Sequence, residues 1–184
     1  SDVYKRQVYG LRRSEVLGLK WDSVDFDAGT ITVKHTVAKV TQIVEKDKTK
    51  NKTSRRTFPL TPDVREMLLD LKRQEDENRR LFCSQYTENN YILKWDDGRP
   101  FAPDYVSHRF SRLLEIYEMP HIRFHELRHS CASFLLNTGF TLKDVQEWLG
   151  HSDIKMTANI YGHLDVGRKM GMAEKITATL SKLA

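Results

Sequence analysis

Five residues in the second half of the chain, HELRH at positions 125–129, combine side chains that two different kinds of site use. In the H-E-x-x-H pattern on a helix, His125 and His129 would be zinc ligands and Glu126 a general base. In the H-x-x-R pattern, His125 and Arg128 stand one helical turn apart and suit a phosphate group. The choice between a metal site and a phosphate site depends on the rest of the chain.

Arg128 itself argues against zinc. Residues three and four apart share a helix face, so its cation is expected beside the same surface as the two histidines, where it disfavours a metal ion and favours a phosphate. The extended zinc pattern of metzincins also requires Gly and His where this chain has Ala132 and Leu135. The residues that could still supply a third zinc ligand are Glu147, His151 and His163.

Composition favours a polyanionic partner. The chain of 184 residues holds 30 Lys and Arg against 25 Asp and Glu, a formal net charge of +5. It contains no apolar run long enough to span a membrane, which predicts a soluble protein with no membrane contact. Cys83 and Cys131 lie far apart without C-x-x-C spacing, which predicts reduced, packed thiols of a cytosolic protein.

Three segments are expected along the chain. Residues 1–7, SDVYKRQ, resemble a translated sequencing adapter and are excluded, so the natural protein is expected to continue further upstream. Residues 8–164 are predicted to form one catalytic domain. Residues 165–184 are predicted to form a C-terminal helical tail with an apolar stripe that must be covered by some surface.

The elements predict a mainly α fold with a small three-stranded antiparallel sheet. The strands are expected in TITVKHTV, QIVEK and RTFPL, with the cation-rich run KDKTKNKTSRR between the second and the third. Helical periodicity and capping residues mark the helices. The predicted helices are one short helix within 10–21 and longer ones at about 62–79, 103–120, 125–138, 141–149, 153–160 and from 166 onward.

Four blocks, in this order, carry a family resemblance: GLRRSEVLGLKW, TKNKTSRRTFPL, HELRHSCASFLL and LGHSDIKMTANIYGHL. They resemble tyrosine recombinases, the phage integrase family, and above all integrases of temperate phages and conjugative transposons. The resemblance covers about residues 10–164 and implies the catalytic-domain fold of that family. The catalytic residues that it implies are Arg12, Lys50, His125, Arg128, His151 and Tyr161, with Glu15 as a supporting carboxylate.

The two implied arginines suit the chemistry. Attack on a phosphodiester builds negative charge on the non-bridging oxygens, which permanently charged, bidentate guanidinium groups stabilise. Arg13 is a rival for the first position. Glu15 lies three residues after Arg12, however, at a spacing that lets the carboxylate hold that guanidinium. An ordinary surface pair between Arg12 and Glu15 is the alternative.

The resemblance gives each remaining residue a role. Tyr161 is the nucleophile, His125 assists proton transfer, His151 hydrogen-bonds the phosphate, and Lys50 protonates the leaving 5′-oxygen. Either histidine could instead be a hydrogen-bonded core residue, and Tyr161 a buried aromatic. Lys48 and Lys52 flank Lys50, and the family pattern alone selects among the three lysines.

The other cations of this run, Lys48, Lys52, Arg55 and Arg56 among them, are predicted to contact the DNA backbone or to form a solvated charged surface. A core role is predicted for five residues near the implied site. They are His129, Cys131, Phe134, Leu135 and Trp148.

The implied function is site-specific strand exchange on double-stranded DNA through a 3′-phosphotyrosyl link. Because the bond energy is conserved in that link, no metal or other cofactor is expected. The resemblance also implies a homotetramer on DNA, an upstream DNA-binding domain absent from this sequence, and a tail that docks on a neighbouring protomer rather than on its own domain. The alternatives are relaxation of DNA by a type IB topoisomerase and an inactive DNA-binding relic.

Overall fold

The computed structural model describes residues 9–40, 42–46 and 55–161. The described helices are α1 (Arg13–Leu17), α2 (Pro62–Phe82), α3 (Pro103–Ile116), α4 (Glu126–Asn137), α5 (Leu142–Leu149) and α6 (Ile154–Tyr161). The described strands are β1 (Val24–Asp25), β2 (Thr30–Val33), β3 (Thr36–Val40), β4 (Gln42–Lys46) and β5 (Arg56–Pro59). Residues 1–7, the lysines at 48, 50 and 52, and the predicted tail at 165–184 lie outside the described residues.

The predicted fold class, mainly α with a small three-stranded antiparallel sheet, is confirmed. The sheet has the order β1-β2-β5, and Ile31 at its centre pairs with Val24 on one side and Phe58 on the other. Strands β3 and β4 pair separately as a two-stranded antiparallel sheet.

The prediction that TITVKHTV forms one strand is wrong, and so is the assignment of QIVEK to the three-stranded sheet. The chain leaves that sheet after Val33 and passes the end of α1, where a Cβ on Gly18 would stand 2.6 Å from the backbone carbonyl carbon of His35. Strict alternation continues through such a break, so the sequence pattern alone cannot reveal it.

Local signals account for the helix ends that matter to the site. Thr141 and Asp144 form a capping box at the start of α5, since each side chain accepts a hydrogen bond from the other's backbone N–H. Gly150 ends α5 in the left-handed conformation at φ 65°, which favours glycine. Gly150 N–H bonds the carbonyls of Gln146 and Glu147, whereas the carbonyls of Leu149 and Gly150 remain available to groups outside the helix.

Two hydrophobic clusters meet at Trp148. One joins the sheet to α1 and α2 and includes Val33 and Phe58, and the other lies between α4 and α5 and includes Leu136 and Leu149. The Trp148 ring packs against both clusters and lies 4.9 Å from the Phe58 ring, between centroids. This contact holds the end of α5 against β5.

The predicted core residues near α4 divide into two groups. Cys131 is buried, and burial raises the pKa of its thiol, while Leu135 and Trp148 are partly buried. His129 and Phe134 are exposed, so their assignment to the core is wrong. Both lie on the outer face of α4, which apolar character alone does not distinguish from the inner face.

None of the helices in the described ranges is long and apolar enough to cross a membrane.

Candidate active site

A buried carboxylate, Glu15 on α1, is the centre of a cluster of three arginines. Arg12 donates from Nη1 to Glu15 Oε1 at 2.8 Å and from its backbone N–H to Oε2 at 2.8 Å. Arg56 donates from Nη2 to Oε2 at 2.9 Å, and Arg128 Nη1 lies 4.0 Å from the same oxygen. The Glu15 side chain is only 2% exposed, so an unpaired carboxylate would be costly there. Glu15 therefore both requires the arginines and fixes their positions.

Backbone carbonyl oxygens hold the same guanidinium groups from the other side. Two belong to the end of α5, where the helix carries partial negative charge, and the third belongs to Gly10 just before α1. The hydrogen bonds run from Arg56 and Arg128 to Leu149 O, from Arg12 Nη2 to Gly150 O at 3.4 Å, and from Arg128 Nη1 to Gly10 O at 2.6 Å.

His151 is buried beside this cluster and is neutral at physiological pH. The Nε–H of Arg128 donates to His151 Nε2 at 3.3 Å, and because that guanidinium can only donate, the His151 proton lies on Nδ1. His151 Nδ1 then donates to Thr157 Oγ1 on α6 at 2.8 Å. Burial, followed by the positive charges of Arg128 and Arg12, lowers the pKa of His151 to about 4.

The cluster carries uncompensated positive charge. Burial and the charge of Arg12 lower the pKa of Arg128 to about 9, and burial also lowers the pKa of Arg56, yet both remain cations at neutral pH. Three guanidinium groups and one carboxylate leave two positive charges uncompensated. The Arg12 side chain is 38% exposed and that of Arg128 is 6% exposed, so an arriving anion meets Arg12 first.

His125 and His129 lie outside the cluster, on the exposed side at the start of α4. One Nε2 atom donates a hydrogen bond to the other at 3.1 Å, so the two rings share one proton. Glu126 does not face them as a general base would, because its carboxylate accepts the backbone N–H of Arg123 at 2.5 Å, and this bond lowers the pKa of Glu126. No group of three or more His, Cys, Asp or Glu able to hold a metal ion occurs among the described residues.

The structure corrects the sequence-based argument against zinc. Arg128 was expected beside the two histidines, but its guanidinium is buried and bonded to Gly10 and Leu149, whereas His125 and His129 are exposed. Neither Glu147 nor His151 joins the two histidines among the described residues, and His163, the remaining candidate for a third ligand, lies outside them.

The choice between Arg12 and Arg13 is decided by the direction of each side chain. Arg12 pairs with Glu15 as the three-residue spacing predicted. Arg13 is exposed and donates to Ser107 Oγ on α3 at 2.6 Å. Of the predicted site residues, Arg12, Glu15, Arg128 and His151 are thus brought together.

The structure corrects the predicted position of Arg56. It was assigned to the DNA-contacting or solvated run, but it is 8% exposed and bonds Glu15 and Leu149, so it belongs to the cluster. Its Nε has no hydrogen-bond partner in the described part of the chain. The two-residue alternation of RTFPL could have predicted this burial, because Arg56 lies on the same buried face as Phe58. Arg55 beside it is exposed, and its contact with the DNA backbone stays a prediction.

Lys50, with Lys48 and Lys52, lies outside the described residues. Its role in protonating the leaving 5′-oxygen therefore stays a prediction. The backbone of Tyr161 is described as the last residue of α6. This helix begins three residues after His151 and is fixed to it through Thr157. Position 161 is therefore connected to the arginine cluster through a short, anchored stretch of chain.

Replacing Gly150 with alanine is expected to weaken the fold and displace Arg56. A left-handed residue other than glycine costs about 1–2 kcal/mol, and the new Cβ would also collide with Arg56 Nη1 and stand 2.8 Å from its Cδ. Gly29→Ala is the matched control, because Gly29 has φ +63° and no atom within 4 Å of the new Cβ. Thermal unfolding of both variants and the position of the Arg56 side chain in their structures are the measurements. Equal effects of the two substitutions would contradict the predicted displacement of Arg56.

Comparisons with known proteins agree on one family. Residues 7–168 match the model of the phage integrase family. A protein named tyrosine recombinase XerC-like, from Caldanaerobacter subterraneus, is 32% identical over 179 residues, which cover 91% of this chain and 46% of that protein. The chain therefore spans less than half the length of this relative.

Solved structures share the fold. The integrase of transposon Tn1549, in complex with transposon right end DNA, matches with a TM-score of 0.76 at 23% identity, over 96% of this chain and 58% of that one. A lambda integrase tetramer bound to a Holliday junction matches with a TM-score of 0.59 at 19% identity, over 86% of this chain and 40% of that one.

Proposed function

Because this chain belongs to the phage integrase family, as its four sequence blocks predicted, we propose that it is the catalytic part of a site-specific DNA recombinase. Its substrate is double-stranded DNA, and its reaction is strand cleavage and rejoining through a 3′-phosphotyrosyl intermediate. The relative named as a tyrosine recombinase and the integrase solved with transposon DNA support this assignment.

The observation that carries the proposal is the convergence of Arg12, Arg128 and His151 around Glu15. Glu15 and the carbonyl at the end of α5 orient the guanidinium groups before any ligand arrives, so little reorganisation is needed when charge develops on a phosphate. Arg12 retains Nε–H and further N–H groups for the phosphate, since each guanidinium has five N–H donors. Preorganised donors of this kind stabilise a transition state more than a ground state.

In the proposed reaction, the Tyr161 oxygen forms a bond to phosphorus while the bond from phosphorus to the 5′-oxygen breaks. His125 takes the phenol proton, and Lys50 gives a proton to the leaving 5′-oxygen. Arg12 and Arg128 bind the non-bridging oxygens. His151 accepts the Arg128 Nε–H and donates to Thr157, so it holds the Arg128 guanidinium in place instead of bonding the phosphate directly, as the resemblance had implied. A 5′-hydroxyl of a partner strand then attacks the phosphotyrosine and releases Tyr161.

This chemistry conserves the energy of the phosphodiester bond, so the reaction requires neither a metal ion nor a nucleotide. We place the protein on DNA in the bacterial cytoplasm and expect it to act as a homotetramer. The lambda integrase tetramer on a Holliday junction supports that expectation. An upstream DNA-binding domain, absent from this sequence, is part of the same proposal.

A single experiment separates strand exchange from relaxation by a type IB topoisomerase. A pool of nicked duplexes with randomised sequence is incubated with the chain, and covalent adducts are captured and sequenced to define the target. Two plasmids carrying that target are then supplied together. Recombinant junctions support the proposal, relaxation without junctions supports a topoisomerase, and absence of any adduct supports a non-catalytic DNA-binding protein.

The tail at 165–184 is proposed to dock its apolar stripe on a neighbouring protomer. A chain truncated after Asp165 should then fold as a monomer but fail to assemble on DNA, because the exchanged helix is the anchor between subunits. Thermal unfolding of the free chain and sizing of its DNA complexes are the measurements. Loss of monomer folding, or unchanged assembly, would show that the tail packs on its own domain.

A further inference from the structure

The paired histidines of α4 have geometry that the proposed recombination reaction does not require. His125 and His129 lie four residues apart on one exposed helix face, with their Nε2 atoms 3.1 Å apart and their rings nearly perpendicular. His125 is in the proposed catalytic set, whereas His129 is not. The pair therefore contains one residue of the reaction and one whose role is unassigned.

The separation of the two nitrogens matches that of two ligands on one metal ion. Zinc–nitrogen bonds of about 2.05 Å at a tetrahedral angle place two nitrogen atoms about 3.3 Å apart. We propose that His125 and His129 form a two-ligand site for a divalent transition-metal ion such as Zn²⁺, Ni²⁺ or Cu²⁺, and that an ion bound there inhibits strand cleavage by occupying His125.

The surroundings leave this site open to an ion. Both histidines are exposed, so an ion reaches them directly from solvent. The Arg128 guanidinium points inward and is bonded to Gly10 O and Leu149 O.

The chemistry also sets which ions bind. Imidazole nitrogen prefers copper, nickel and zinc, while magnesium and calcium prefer oxygen ligands. Among the described residues no third histidine, cysteine or carboxylate joins the pair, which supplies two protein ligands; His163 lies outside the described residues. Such a site binds reversibly, in contrast to a closed structural zinc site. Its inhibitory consequence rests on the proposed function, whereas the binding of the ion does not.

Metal binding is tested on the chain without DNA. Zn²⁺ is added in steps while the imidazole signals of the seven histidines are followed by NMR. The signals of His125 and His129 should move together at one ion per chain, and His129→Gln should weaken binding at least about tenfold. His121→Gln removes another exposed histidine and Cys83→Ser removes an exposed thiol, so both variants should bind Zn²⁺ as the wild type does.

The inhibitory consequence is tested by covalent capture of DNA. Zn²⁺ should reduce adduct formation by the wild type, a chelator should restore it, and Mg²⁺ should have no such effect. His129→Gln should form adducts without Zn²⁺ and resist inhibition by it. Equal inhibition of wild type and His129→Gln, or equal Zn²⁺ affinity in the NMR titration, would overturn the proposal. A chain that binds Zn²⁺ as described but forms no DNA adduct even when joined to an upstream DNA-binding domain would refute the proposed function and leave the ion site standing.

Discussion

Tyr161→Phe is expected to eliminate the covalent protein–DNA adduct. Phenylalanine lacks the oxygen that would attack the phosphate, so cleavage should fall by at least about 10⁴-fold, as for loss of a catalytic nucleophile elsewhere. DNA affinity should change little, since it comes from Lys and Arg contacts with phosphates, and the aromatic ring is retained. The loss should therefore appear in the chemical step alone.

The measurement is covalent capture on a nicked duplex, with DNA binding followed in parallel. Tyr117→Phe is the matched control, because Tyr117 directly follows α3, is 69% exposed and has no place in the proposed mechanism. That variant should form adducts at the wild-type rate. An adduct that persists in Tyr161→Phe, or that maps to Tyr117 or Tyr105, would rule out Tyr161 as the nucleophile.

Arg128→Ala is expected to lower the cleavage rate by about 10³-fold or more, the scale of losing an arginine that stabilises a phosphoryl-transfer transition state. The substitution also removes the donor to Gly10 O, and an unpaired buried acceptor costs about 1–3 kcal/mol of stability. Arg128→Lys separates the two effects. It keeps the charge but not the fork that bonds His151, Gly10 and Leu149 together, so it should fold better than Arg128→Ala and still cleave poorly.

Cleavage rates, DNA affinity and unfolding temperatures of both variants are compared with those of Arg13→Ala. Arg13 is exposed and lies outside the cluster, so its removal deletes a cation without touching Glu15. A loss of binding as large as the loss of cleavage in Arg128→Lys would mean that Arg128 serves DNA affinity rather than the transition state. Equal cleavage by Arg13→Ala and Arg128→Lys would contradict the proposal directly.

The local part of the site could be predicted from the sequence. Arg12 and Glu15 are three residues apart, and a spacing of that size fixes which side chains meet whatever the fold. The long-range part could not. Arg12 and Gly150 are 138 positions apart, and the acceptor in that bond is a backbone oxygen, which no residue type signals.

Arg56 shows how a strong compositional pattern concealed a weaker one. Six cations in the run at 46–56 indicate a solvated surface, and Arg56 was assigned to that surface as one of them. Its alternation with Phe58 instead places it on the buried face of the strand. The split after Val33 was hidden in a similar way, because apolar alternation continues across it. Both errors occurred where tertiary packing decided between two patterns that the sequence permits.

The carbonyl groups of Gly10, Leu149 and Gly150 orient the arginines without neutralising them. Had a separate carboxylate held each guanidinium, the cluster would carry no net charge, and an incoming phosphate would have to compete with those anions. Main-chain oxygens also survive any change of side chain, so position 149 can vary among apolar residues without losing its acceptor. Comparisons of polar side chains among relatives will therefore miss the hydrogen bonds to main-chain oxygens that orient these arginines for an anion.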